Sequence, residues 1–151
     1  MENDFTISTD KNELDISTIH DYLCNRSYWG KGRTIETVRK SIDNSLCYGV
    51  YDKDGFFVGF ARVVTDYTVF AYLLDLFILE SHRSRGFGKS LVNYIVNDES
   101  LKNLRWLLDT KDAHGLYQKF GFQVPAFPEK ILERRKFANN RLHLSTGAEA
   151  F

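Results

Sequence analysis

The run Arg83-Ser84-Arg85-Gly86-Phe87-Gly88, followed by Lys89 and Ser90, is the part of this 151-residue chain best equipped for chemistry. Glycines at 86 and 88 let backbone N–H groups approach a ligand closely and admit left-handed dihedrals. The run follows an apolar strand and opens a helix pattern. A helix start offers unsatisfied N–H groups and a positive dipole end, which together make an anion site. Between Glu80 and Ser90 three basic residues (Arg83, Arg85, Lys89) stand against one acid, Glu80, in a chain whose formal net charge is zero. A locally basic, glycine-bearing turn on a neutral protein suits a phosphorylated small molecule better than a polyanion. One reading is a nucleotide P-loop, since Gly88-Lys89-Ser90 ends the pattern G-x-x-x-x-G-K-[ST]; its first glycine would fall on Arg83. A plainer reading is a surface turn with solvated arginines.

Other side chains stand out by their setting. Asp75 interrupts the apolar run Tyr72-Leu-Leu-Asp-Leu-Phe-Ile78, where a carboxylate needs a partner or a use. It can serve as a base, bind a cationic head group, or pair with an arginine such as Arg62. Asp109 ends a later strand and can share the first two roles. Tyr117 lies in a helix pattern beside Leu116 and Phe120, either as a core tyrosine or as a proton donor. Tyr28, Trp29 and Arg33 occupy a glycine-containing loop, where they can select a ligand or simply pack the loop down. Asp66 reads as a turn residue and Asp112 as a helix cap. Cys24 and Cys47 read as small buried hydrophobes, with no base beside either to make a nucleophile.

These residues are placed by elements with distinct periods. Phe5–Ser8 alternates as a strand. Asp15 can cap a helix carrying Ile16, Ile19 and Leu23, and Thr34 one carrying Ile35, Val38, Ile42 and Leu46. Three strands follow, at 47–51, 56–65 and 69–79, joined by turns at 52–55 and 66–68; such short links predict an antiparallel meander. Beyond Leu79 the order is loop (80–87), helix (Leu91, Val92, Ile95, Val96), strand (105–109) and helix (113–120), which Gly121 can end in a left-handed conformation. A helical crossover makes the strands at 69–79 and 105–109 parallel neighbours. The length predicts a single domain over 1–151, with a loose tail from about 138.

Composition narrows the class. Hydrophobic residues are 43% and charged residues 26%, as in an ordinary soluble globular protein. The zero net charge gives no support to nucleic-acid binding. Two cysteines form no disulfide framework, and no Cys/His spacing reads as a metal site. No apolar run reaches membrane-spanning length, and the N-terminus has no apolar signal segment. The expectation is a cytoplasmic protein without nucleic-acid, membrane or metal partners.

Arg83-x-x-Gly86-x-Gly88 between an apolar strand and a helix resembles the acyl-CoA signature R/Q-x-x-G-x-G/A of the GNAT acetyltransferases. Ala113-x-x-x-Tyr117-x-x-x-Gly121-Phe122 resembles that family's A-x-x-x-Y-x-x-x-G-F segment, in the expected order and spacing. The strings Ser27-Tyr-Trp29, Phe60–Asp66 and Asp112–Tyr117 resemble a bacterial branch of it, and the likeness spans residues 5 to 125. Many members carry Asn three residues before the alanine of the second segment; Thr110 stands there in this chain.

The resemblance implies a mixed α+β fold: a central mixed sheet with an antiparallel N-terminal meander and a splayed parallel strand pair, flanked by helices. It implies acetyl-CoA as cosubstrate, no metal, direct transfer of acetyl to the amine of a small molecule, and a monomer or homodimer. The backbone of Leu76-Phe77-Ile78 would then hold the pantetheine and the thioester carbonyl, and residues 83–90 the pyrophosphate. Tyr117 becomes the general acid, Asp75 the candidate base, and Tyr28, Trp29 and Asp109 the acceptor side. A non-catalytic acyl-CoA-binding module is the alternative. An alkyl ammonium has a pKa of ~10.4, so neutral amine at pH 7 costs roughly 4–5 kcal/mol and a base or desolvation must supply it. The acids at 66, 75, 109 and 112 would attract that cation.

Overall fold

The computed structural model describes residues 4–135. The tail expected from about 138 lies outside them. Five strands form one sheet in the order β1 (Phe5–Ser8), β2 (Leu46–Asp52), β3 (Phe57–Thr65), β4 (Phe70–Ile78), β5 (Arg105–Leu108). The first four are antiparallel and β4–β5 is parallel, as the short turns and the helical crossover dictate. The strand limits agree with the periodicity to within one residue.

Helices cover the sheet on both faces. Helix α1 (Ile16–Asp21) starts where the Asp15 carboxylate accepts the Thr18 N–H. One π turn, Tyr22–Arg26, extends it and turns Tyr22 and Leu23 inward. Helix α2 (Ile35–Asp43) starts where the Thr34 hydroxyl accepts the Thr37 N–H. These elements bury Ile19, Tyr22, Leu23, Trp29, Val38 and Ile42 against Cys47, Phe60 and Phe77 of the sheet. Helix α3 (Phe87–Val96) and helix α4 (His114–Gln118) lie on the opposite face. There Leu91, Val92, Ile95 and Tyr117 pack on Val63, Leu73, Leu76 and Ile78. Each fully buried Leu or Ile contributes about 1.5–3 kcal/mol, so both layers are firmly seated.

The sequence pattern did not reveal one local irregularity. Along β3–β4 the register runs Phe60↔Phe77 and then Arg62↔Leu74, so β4 carries one extra residue. Asp75 is that residue, with φ +54°. Aspartate tolerates the left-handed region better than most side chains. The bulge explains why Leu73 and Leu76, three apart, share one face of the sheet. The pairing of β4 with β5 ends at Leu73↔Leu108, just before the bulge, and past it β4 is paired with β3 alone.

Candidate functional site

Beyond the bulge, β4 has β3 on one side and an opening on the other. The Leu79 N–H bonds to the Val58 carbonyl and Phe77 pairs with Phe60, so alternation turns the peptide groups of Leu76 and Ile78 toward the opening. Of the three residues expected to offer backbone to a ligand, Phe77 is therefore placed differently. Its main chain belongs to the β3 ladder and its ring stacks on Tyr22 at 4.0 Å.

The opening leads to the start of α3. Gly86 has φ +84°, a dihedral that disfavours any side chain, and Ser84 has φ +62°. The first bond of the helix runs from the Ser90 N–H to the Gly86 carbonyl, which leaves the N–H groups of Phe87, Gly88 and Lys89 directed out of the helix end. The Phe87 side chain is buried and packs on Phe5 at 4.8 Å, anchoring this end of the helix. Arg85 is exposed, with its guanidinium 5.0 Å from the Phe87 ring centroid, and Lys89 is exposed beside it. Arg83 turns the other way. Its Nε donates to the Ile78 carbonyl at 3.0 Å and its Nη2 to the Tyr22 hydroxyl. It braces the loop against β4 and the first helical layer, so the cationic charge facing the helix end comes from Arg85 and Lys89.

Tyr117 is 1% exposed, and burial pushes its hydroxyl pKa well above the ordinary tyrosine value. It lines a cavity of about 270 Å³ with Leu108, Asp109, Thr110, His114 and Phe122, at the end of β5. The segment that carries it is fixed at both ends. The Thr110 hydroxyl accepts the Ala113 N–H at 3.1 Å, and Gly121, at φ +89°, lets the Phe122 N–H return to the Tyr117 carbonyl. Thr110, the departure from the family pattern, thus makes a helix-start contact, one that had been expected of Asp112.

Asp75 departs most from expectation. It is 0% exposed, and both its oxygens are taken. Arg33 Nη1 donates to both at 2.9 Å, Arg62 Nε to Oδ2 at 2.9 Å, and Trp29 Nε1 to Oδ1 at 3.1 Å. The arginine pairing is realised twice over, and this geometry does not support a base or a cation-binding carboxylate. The network ties the loop before α2 to the bulge. Within that loop the Ser27 hydroxyl donates to the Leu23 carbonyl and accepts the Gly30 N–H. Gly30 sits so close that a Cβ would lie 2.8 Å from the Leu23 carbonyl oxygen. Tyr28 stands at the rim, 37% exposed, edge-on to Trp29, with Lys111 Nζ 5.7 Å from its ring centroid.

The structure therefore gathers the predicted residues into three groups around the splayed strands. Tyr28 and Trp29 lie with Asp75; Asp109 lies with Tyr117; the 83–90 loop closes the far end. Asp66 is the turn residue expected, accepting backbone N–H groups from Thr68, Val69 and Phe70. Cys47 is buried, which pushes its thiol pKa up to about 11 and makes it a poor nucleophile. Among the described residues no three His, Cys, Asp or Glu side chains gather as a metal site, and no helix is long and apolar enough to cross a membrane. The bulge, the Tyr22–Arg83 brace and the Trp29–Asp75 bond all depend on tertiary contacts, and only the isolated Asp75 hinted at them.

Comparisons with known proteins agree with this geometry. Residues 43–124 match the acetyltransferase (GNAT) domain, and they include the bulge, the 83–90 loop and the Tyr117 segment. A crystal structure from Xanthomonas campestris pv. campestris described as belonging to the GNAT family is 43% identical, with a TM-score of 0.85 over 89% of this chain and 94% of that one. A Gibberella zeae protein named as an acetyltransferase is 26% identical over 77% of each chain. Spermidine N-acetyltransferase from Vibrio cholerae, solved with CoA and spermine, shares the fold at 16% identity, with a TM-score of 0.64 over 83% of this chain and 84% of that one. With its domain match, its splayed β4–β5 pair and its left-handed glycine turn, the chain belongs to the GNAT acetyltransferases.

Proposed function

We propose that this enzyme transfers acetyl from acetyl-CoA directly to the amine of a small molecule. The observation that carries the reading is the opening beside β4. It is a strip of backbone past the Asp75 bulge, where β4 is paired with β3 alone, and it runs toward the uncapped N–H groups at the start of α3. A pantetheine arm carries amides that complete such a ladder, and its pyrophosphate suits the N–H groups of Phe87, Gly88 and Lys89 with the charges of Arg85 and Lys89.

The acceptor nitrogen, once neutral, attacks the thioester carbonyl; a C–N bond forms and the carbonyl π pair moves to oxygen. The Leu76 N–H, turned into the opening, is the donor for that oxyanion. Collapse breaks the C–S bond and leaves the pair on sulfur. Tyr117 donates a hydrogen bond to the departing thiolate and keeps its own proton; the proton lost from the acceptor nitrogen balances the one the thiolate takes up from solvent. The free thiol has a reference pKa of ~8.5, so a thiolate at neutral pH is only modestly disfavoured and one donor suffices. The acceptor amine loses its first proton to water or by desolvation, since Asp75 is engaged elsewhere. The reading extends to a single-domain protein of the cytoplasm, monomeric or homodimeric, acting without metal, nucleic acid or membrane.

A thermal-shift comparison of acetyl-CoA, CoA, ATP and NADH tests the cosubstrate. CoA and acetyl-CoA are expected to raise Tm by several degrees, and ATP and NADH much less. Gly88→Val and Gly86→Val are expected to abolish the CoA-induced shift. At Gly86 the positive φ adds about 1–2 kcal/mol of lost stability, and Gly88 is helical but buried, so the CoA shift of each variant is read against its own ligand-free Tm. A Gly88→Val protein that CoA still stabilises like the parent overturns the phosphate assignment.

A further inference from the structure

Asp75 carries one negative charge and is held by two guanidiniums, so the cluster it forms with Arg33 and Arg62 has an excess of one positive charge. The cluster is half-sunk: the Arg33 side chain is 20% exposed and that of Arg62 12%. Arg62 also donates through Nη1 to the Ser45 hydroxyl. Among the described residues, Arg33 makes side-chain hydrogen bonds only through Nη1, and Arg62 through Nε and Nη1. Among the described residues, Arg33 Nε and Nη2 and Arg62 Nη2 have no protein acceptor. Yet no fully buried side-chain nitrogen or oxygen of the described residues lacks a partner. These donors therefore reach solvent. A fixed, half-desolvated guanidinium fork in net positive surroundings is what a carboxylate fits, with charge-assisted bonds on two nitrogens.

The position ties this fork to the reaction. Asp75 directly precedes Leu76, whose peptide faces the thioester opening, and the fork is bonded to the Asp75 carboxylate itself. Next to it on the same sheet face runs the cross-strand row Val64, Tyr72, Leu107, with Val64 exposed and the other two half-buried. Val64 is 40% exposed, and Tyr28, edge-on to Trp29 of the cluster, is exposed too. Charge, donors and apolar floor together describe an acceptor with an amine, a carboxylate close to it and an apolar side chain.

From this juxtaposition, and resting on the transferase reading above, we infer that the acceptor is an apolar α-amino acid or a close amino-carboxylate analogue, whose carboxylate binds Arg33. This inverts the expectation of an acid-lined, cation-seeking site. The acid best placed to draw a cation is neutralised twice over, and Asp66 is spent on a hairpin turn.

The test is CoA release at saturating acetyl-CoA with matched acceptors: L-phenylalanine against 2-phenylethylamine, L-leucine against 3-methylbutylamine, and spermidine. The carboxylate alters the basicity of the amine, so kcat/KM is taken over a pH series and expressed per neutral amine. The amino acids are expected to lead their decarboxylated partners by about 100-fold, because without the carboxylate the fork stays unpaired. Arg33→Gln is expected to shrink that ratio to within about threefold, and Arg33→Lys, with charge but no planar fork, to leave an intermediate ratio. The CoA-induced Tm shift of each variant reports that it is folded. Equal rates for the matched pairs, a lead by spermidine, or an unchanged ratio in Arg33→Gln overturns the inference while the transferase reading stands. A protein that CoA stabilises but that acetylates none of these amines likewise overturns the inference, whereas a protein that CoA does not stabilise removes the transferase reading, and this inference with it.

Discussion

Tyr117→Phe is expected to lower kcat about 100-fold while changing the affinity for acetyl-CoA by less than about threefold. The phenol sits at the interface between α4 and the sheet, 1% exposed, beside the end of β5. Desolvation raises its pKa, so it holds its proton throughout the neutral range. Full transfer of that proton to a thiolate is uphill in the resting site. The hydroxyl therefore works as a hydrogen-bond donor that strengthens as charge develops on sulfur, an effect confined to the transition state. The pH dependence follows in sign. A tyrosine with a raised folded pKa lends its full stability below the unfolded value of about 10 and loses it only as pH rises above that. Between pH 6 and 9 the substitution should thus act on rate, with a stability change within about 1.5 kcal/mol for one lost hydrogen bond. The acceptor used must make chemistry rate-limiting. An unchanged kcat under that condition, with an altered Tm, shows that Tyr117 only packs.

Where a feature is local, the residues announce it. Asp15 and Thr34 were readable as helix caps because a short polar side chain before an apolar stripe has few other uses, and both accept the expected N–H. The strands of the meander were legible from the change of period at Cys47 and from turns such as Asp52–Gly55. Gly86 could be read as a left-handed hinge, because the motif needs a residue without a Cβ there. What stayed hidden depends on registry between strands. A bulge adds one residue to β4 without altering composition, and its only trace was an aspartate in an apolar run. That trace named Arg62 as a partner but not Arg33 or Trp29, which return from a loop more than 40 residues upstream. Likewise Arg83 was counted as phosphate charge. Its preference for the Ile78 carbonyl and the Tyr22 hydroxyl exists only once the π turn has brought Tyr22 under the loop.

Asp75→Asn is expected to cost about 3–5 kcal/mol of stability, a fall in Tm on the order of 10 °C for a domain of this size. Asparagine tolerates the left-handed dihedral that the bulge demands, so the substitution removes charge and one acceptor oxygen without straining the backbone. It leaves two guanidiniums sharing a half-buried site with no anion between them. Removing one of them as well should return part of the loss. The double variant Asp75→Asn with Arg62→Met is therefore expected to be less destabilised than the two single changes added together. Function should follow the loop. Trp29 and Arg33 are fixed to β4 through this carboxylate, so their release should raise KM for the acceptor more than it lowers kcat per folded molecule. Trp29 is one of two tryptophans in the chain, and its emission should shift toward that of a solvated indole. The opposite pattern would be an undiminished Tm, a large loss of kcat and a displaced pH profile. That result would return Asp75 to the role of general base and dissolve the link between the bulge and the acceptor loop.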